Sequence, residues 1–137
     1  MTLEGLNCKD SFSAIKAYGQ SKLANILFSR SLATRLSGTG VDVNALHPGA
    51  VRTRFGMDGD INGFFRFILA AVRPFMKSPK SGAKTPVFLA SAPELEGVSG
   101  KYFASKRESL LAPFAEDDEA AQKLWVMSAT LTGVGGE

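Results

Sequence analysis

Cysteine is nearly missing from the chain: Cys8 is its only one, so no internal disulfide can form, and a reducing, intracellular setting suits it best. With no histidine near it in sequence, Cys8 reads as a small filler rather than a nucleophile. Histidine is equally scarce. His47 is the only one, and with no second candidate ligand at metal spacing it reads as a polar residue at a strand end. The opening residues MTLEGLNCKD contain no basic stretch leading into an apolar core, which excludes a secretory signal of the usual form. Long hydrophobic runs are lacking too. The longest, Phe64 to Met76, is interrupted by Arg66, Arg73 and Pro74 and is too short to span a bilayer, so the chain is expected not to cross a membrane. A basic tract is also absent: the formal charge of +3 comes from scattered lysines and arginines, which argues against a dedicated nucleic-acid surface.

What is present is ordinary globular usage, with 45% hydrophobic and 21% charged residues, so neither a disordered nor a fibrous chain is indicated. Its 137 residues suit one domain with one core. From Ala17 to about Leu36 helix formers dominate, and Leu23, Ala24, Ile26, Leu27 and Phe28 wrap most of the helical circumference. A belt that wide predicts contact on more than one side. Ser37-Gly38-Thr39-Gly40 then supplies glycines suited to a left-handed helix end, and Val41 to Leu46 predicts a short strand stopped by His47-Pro48-Gly49. Gly56 to Gly63 reads as a loop. Ser78 followed by Pro79 predicts an N-cap and a helix running to about Ser91, with Pro86 a discordant residue inside it. A second strand is expected over Val98 to Ala104, and only these two strands are credible. The acidic run Glu116 to Glu119 reads as the start of a helix through Leu124, Trp125 and Ser128, complementing its dipole, rather than as a metal cluster. Helix, glycine loop and strand in that order suggest an α/β fold.

Within the first helix, Tyr18 and Lys22 stand four residues apart and therefore share a face, with Cβ atoms about 5–6 Å apart. A phenol is a poor base near neutrality, but an adjacent ammonium favours the phenolate. Such a tyrosine can take a proton from an alcohol, or give one to a carbonyl oxygen, while hydride moves on the carbon. That reaction requires a cofactor, and the remaining donors of the lysine could hold its ribose hydroxyls. Two common residues meet this spacing often by chance, so the surrounding sequence decides. Helix, strand and then His47-Pro48-Gly49-Ala50-Val51-Arg52-Thr53 at the strand's carboxyl end is the arrangement in which open parallel sheets bind ligands.

The segments AYGQSKLANILFSRSLATRL, VDVNALHPGAVRTRF, ELEGVSGKYF and KLWVMSATLTG, taken in order, resemble the short-chain dehydrogenase/reductase family, in particular its retinol-dehydrogenase-like branch. The resemblance runs from Leu6 nearly to the C-terminus. It implies that Tyr18 is the catalytic acid/base and that Lys22 is its activator and ribose ligand. It further implies that Pro48, Gly49, Val51 and Thr53 line the nicotinamide site, with the Val51 backbone and the Thr53 hydroxyl near the carboxamide. Ser21 and Asn25 share the helical face but read as polar helix residues. The branch favours NADP(H), with NAD(H) the alternative, and implies a small apolar alcohol or carbonyl substrate.

Against the family pattern, the glycine-rich dinucleotide turn, the Asn-Asn-Ala-Gly segment and the catalytic-serine strand find no match here. The reading is therefore the C-terminal, active-site-bearing part of a Rossmann-like doubly wound parallel sheet, with the N-terminal half absent and residues 1–137 forming part of one domain. A chain with so little of the sheet is expected to be poorly stable and weakly active by itself. Gly63 to Met76 suits either an apolar lid over the substrate, which family position favours, or a basic amphipathic helix on a membrane surface. Because membrane anchors of the branch lie N-terminal to the matching segments, the resemblance implies an intracellular location either in the cytoplasm or associated with endoplasmic-reticulum or mitochondrial membranes. The competing function is a noncatalytic interaction module, pairing as a homodimer through the belt of the first helix or resting on membranes through Phe64 to Met76.

Overall fold

The computed structural model describes residues 13–52 and 71–134. Cys8, Thr53, the Gly56 to Gly63 loop and residues 64–70 of the expected lid lie outside them.

Helix α1 spans Ala14–Arg35. Ser13 caps it, its hydroxyl accepting the Lys16 N–H, and at the other end the Leu36 N–H donates to the Leu32 carbonyl. Gly38 and Gly40 then take φ of +80°, the left-handed geometry that other residues adopt only at a cost. The chain returns to strand β1, Ala45–His47. This strand starts later than the apolar pattern predicts because its first residues pair through side chains. Asn44 donates from Nδ2 to the Val98 carbonyl and accepts the Lys101 N–H on Oδ1, while Asp42 accepts the Gly97 N–H and Ser99 Oγ accepts the Val43 N–H. The polar side chains substitute for ladder bonds and leave the regular strand to Ala45–His47.

Strand β2, Tyr102–Ala104, lies parallel to β1 with Ala45 opposite Tyr102 and His47 opposite Ala104. Its expected start at Val98 is shifted for the same reason. A third strand, β3 (Arg107–Glu108), pairs antiparallel with β2 and corrects the two-strand expectation. It closes a hairpin through Ser105 and Lys106, whose φ values of +51° and +64° supply the backbone twist that a two-residue loop requires. Neither residue is glycine or asparagine, so the turn gives no signal in sequence.

Between β1 and β2 the expected single helix divides into α2 (Pro79–Gly82) and α3 (Lys84–Ser91), separated by a turn at Ala83. Ser78 caps α2 by accepting the Ser81 N–H, as anticipated. The break accounts for Pro86. In the first turn of a restarted helix its missing N–H removes no intrahelical bond.

Helix α4, Asp118–Thr132, follows the acidic run, and Asp117 Oδ1 accepts the Ala120 N–H at 2.9 Å. Gly133 ends it in the left-handed region. The helix packs along α1. Leu27, fully buried, meets Ala121 and Leu124, with Leu23, Ala24, Ala120 and Met127 around them. Burying one leucine side chain contributes about 1.5–3 kcal/mol. Polar and aromatic contacts fix the register at the rim: Trp125 stacks on Phe28 with ring centres 5.2 Å apart, Arg35 lies over the same indole, and Arg30 pairs with Asp118 at 2.8 Å. Because α1 touches both α4 and β1, its broad apolar belt does serve more than one side.

Candidate active site

The direction of α1 against the sheet decides where Tyr18 lies. Near the helix's end, Ala33 Cβ sits 3.6 Å from where a side chain on Gly100 would begin, just ahead of β2. The C-terminal half of α1 thus lies over the amino ends of the parallel strands. Fifteen residues before Ala33, at about 1.5 Å per residue, Tyr18 stands about 22 Å back along the helix. The carboxyl ends of β1 and β2 carry His47 to Arg52 and the Ser105–Lys106 turn.

In the first half of α1, the Lys22 ammonium lies 5.2 Å from the centre of the Tyr18 ring, a cation over an aromatic face. Tyr18 is 55% exposed. Ser21 donates its hydroxyl to the Tyr18 carbonyl at 2.8 Å, and Ser29 does the same to that of Asn25. Ser21 thus serves the helix backbone, in keeping with its reading as a polar helix residue. His47 accepts the Gly49 N–H on Nδ1 at 2.7 Å, which closes the turn after β1 and commits one ring nitrogen to structure. Gly49 has φ of +88°. Pro48 is exposed beside it.

Beyond this turn the backbone is held by a residue that sequence reasoning missed. The Lys77 N–H donates to the Ala50 carbonyl at 2.8 Å, and the Arg52 N–H donates to the Lys77 carbonyl at 2.9 Å, forming a parallel bridge. Such a bridge uses the groups flanking Val51 and turns Val51's own N–H and C=O toward the opposite side. Among the described residues neither of those two groups has a backbone partner. The Val51 side chain packs instead on Gly82: a Cβ there would come within 2.5 Å of Val51 Cγ2. Lys77 and Gly82 are ordinary residues in an expected helix, and only the fold shows their contact with residues 49–51. Thr53 lies outside the described residues.

A donor and an acceptor side by side on Val51 match the hydrogen-bonding needs of a primary carboxamide, so the segment suits the nicotinamide end of a dinucleotide. Charge suits it as well. The ion pairs among the described residues are Arg30–Asp118, Lys101–Glu108 and Lys123–Glu119, and none of them neutralises Lys22 or Lys77.

A family model described as short chain dehydrogenase matches residues 3–62, a span that includes Tyr18, Lys22 and the segment from Pro48 to Thr53. Human retinol dehydrogenase 14 is 45% identical over 135 residues, covering 98% of this chain and 40% of that protein. Mouse retinol dehydrogenase 13 is 48% identical over 124 residues, covering 86% and 36% respectively. The chain therefore spans well under half the length of these relatives. A crystal structure of an uncharacterized protein from Mycobacterium paratuberculosis aligns with a TM-score of 0.64 and 27% identity, covering 97% of this chain and 45% of the other.

Proposed function

Since the chain belongs to the short-chain dehydrogenase family, on its retinol-dehydrogenase-like side, we propose that it carries the proton-transfer and nicotinamide-facing part of an alcohol/carbonyl oxidoreductase. What supports this reading is a pair of features that both fall within the span the family model matches. The Tyr18–Lys22 pair is on α1, and the Val51 backbone edge lies beyond β1.

Tyr18 is the acid/base in this reading. Its hydroxyl gives a proton to the carbonyl oxygen in reduction and takes one from the alcohol in oxidation. Lys22 stabilises the phenolate by its charge and presents donors to the ribose hydroxyls. Pro48 and Gly49 shape the turn that delivers Val51, whose N–H and C=O hold the carboxamide, and Thr53 adds a hydroxyl to the same recognition. NADP(H), or NAD(H) in its place, supplies or accepts the hydride when bound. The names of the relatives support a small apolar alcohol such as a retinol as substrate.

The test is turnover by the full natural polypeptide carrying these residues, with retinol or retinal and each nucleotide. Tyr18→Phe keeps the ring and removes the proton, so the rate should fall by about 10²–10⁴-fold. Unchanged turnover in that variant would overturn the assignment.

A membrane-surface contact is a second reading, favoured by Phe75, which is 87% exposed, and by the partly exposed Val72 and Val87 among Arg73, Lys77, Lys80 and Lys84. Sedimentation with anionic but not neutral vesicles would support it.

A further inference from the structure

Lys77 makes more contacts with the Pro48–Arg52 segment than its place in the sequence suggests. Its backbone bonds to both sides of Val51, as described above. Its side chain does something separate. A Cβ built on Gly49 would lie 2.9 Å from Lys77 Nζ and 3.1 Å from both Cδ and Cε, so the lysine stem lies directly on the bare α-carbon of that glycine. The ammonium continues to the Ser105 hydroxyl at 3.5 Å, in the turn that follows β2. One side chain thus ties the turn after β1 to the turn after β2, at the carboxyl ends of two parallel strands.

We infer that Lys77 is a positioning residue: its stem pins the Gly49 turn, Ser105 anchors the stem, and together they hold the Val51 backbone edge in place for the cofactor. This rests on the nicotinamide-facing role proposed for Val51. Gly49 then has two requirements, a left-handed φ and an empty flank for the lysine to occupy. The Ser105–Lys106 turn has a purpose as well. Its unusual backbone brings a hydroxyl to the place where the ammonium ends.

Misplacement of a binding group by an ångström can cost up to 10²-fold, and a loosened rather than removed group should cost less, on the order of tenfold. The experiment uses the full natural polypeptide with Lys77→Ala, Lys77→Arg and Ser105→Ala. Hydrogen exchange at the Gly49 and Arg52 amides is measured without nucleotide, and the KM for NADP(H) and kcat are measured with it. Lys77→Ala should speed exchange at both amides by about tenfold and raise the KM for the nucleotide by a similar factor, leaving kcat within about twofold. Ser105→Ala should move both quantities the same way by less, the double variant should not exceed Lys77→Ala alone, and Lys77→Arg should restore them.

Unchanged amide exchange in Lys77→Ala would overturn the inference. So would a fall in kcat at constant KM, or additive effects of the two substitutions. If the wild-type protein binds neither nucleotide, the proposed function fails, and the exchange measurement still decides whether Lys77 holds the turn.

Discussion

Replacing Gly82 by alanine sets two effects of opposite sign against each other, and the structure says which should win. Alanine is favoured over glycine within a helix by at most about 1 kcal/mol, and less at the last position of a short one such as α2. Opposing this, the new Cβ would stand 2.5 Å from Val51 Cγ2, 3.0 Å from Cγ1 and 3.4 Å from Cβ. Because all three side-chain carbons crowd the same spot, turning the isopropyl group about χ1 exchanges one overlap for another. Either α2 or the Ala50–Arg52 backbone has to move. Overpacking of this kind costs about 1–3 kcal/mol, so a net loss of roughly 0.5–2 kcal/mol is expected. At a urea dependence of about 2 kcal/mol per M that lowers the midpoint by roughly 0.25–1 M.

Urea unfolding of the full natural polypeptide, followed by circular dichroism, measures this loss. Gly19→Ala in α1 serves as the control, since nothing among the described residues lies within 4 Å of its new methyl group. That variant should gain the helix preference that Gly82→Ala cannot keep. Adding Val51→Ala removes the obstructing group, so the double variant should cost less than the sum of the single ones. A Gly82→Ala protein as stable as the parent, or strict additivity with Val51→Ala, would refute the packing argument.

Leu27→Ala should destabilise by about 2–5 kcal/mol, visible as a lower melting temperature, because it empties the centre of the α1–α4 contact. The 137-residue chain alone should unfold over a broad urea range, since three of its six buried hydrophobic residues among those described are alanines; a sharp, cooperative transition would contradict this. Glu119 bonds to the exposed Lys123 and raises its pKa above the ordinary 10.5. The small stabilisation is complete below the ordinary lysine value and is lost as pH rises through the raised one. Parent and Lys123→Met should therefore converge in melting temperature in strongly alkaline buffer.

Local chemistry made much of this protein readable in advance. Helix formers from Ala17 onward, the paired glycines after Leu36, Ser78 before Pro79 and the acids before α4 each act through neighbouring backbone, so their effects stay within a few residues. Tyr18 and Lys22 were legible for the same reason, since helical pitch alone puts them on one face. The strand limits were not. Asn44 and Asp42 look like polar interruptions of an apolar run until Val98, Lys101 and Gly97 stand opposite them.

The primary sequence by itself determined most of the helices, the Ser78 cap and the shared face of Tyr18 and Lys22, because those depend on contacts three or four residues apart. Only the tertiary structure decided that Lys77 covers Gly49, that Gly82 receives Val51 and that the Ser105 turn meets them. Those contacts join residues some thirty apart in the chain, and a lysine or a glycine has no local preference that names its distant partner. Packing in three dimensions selects it.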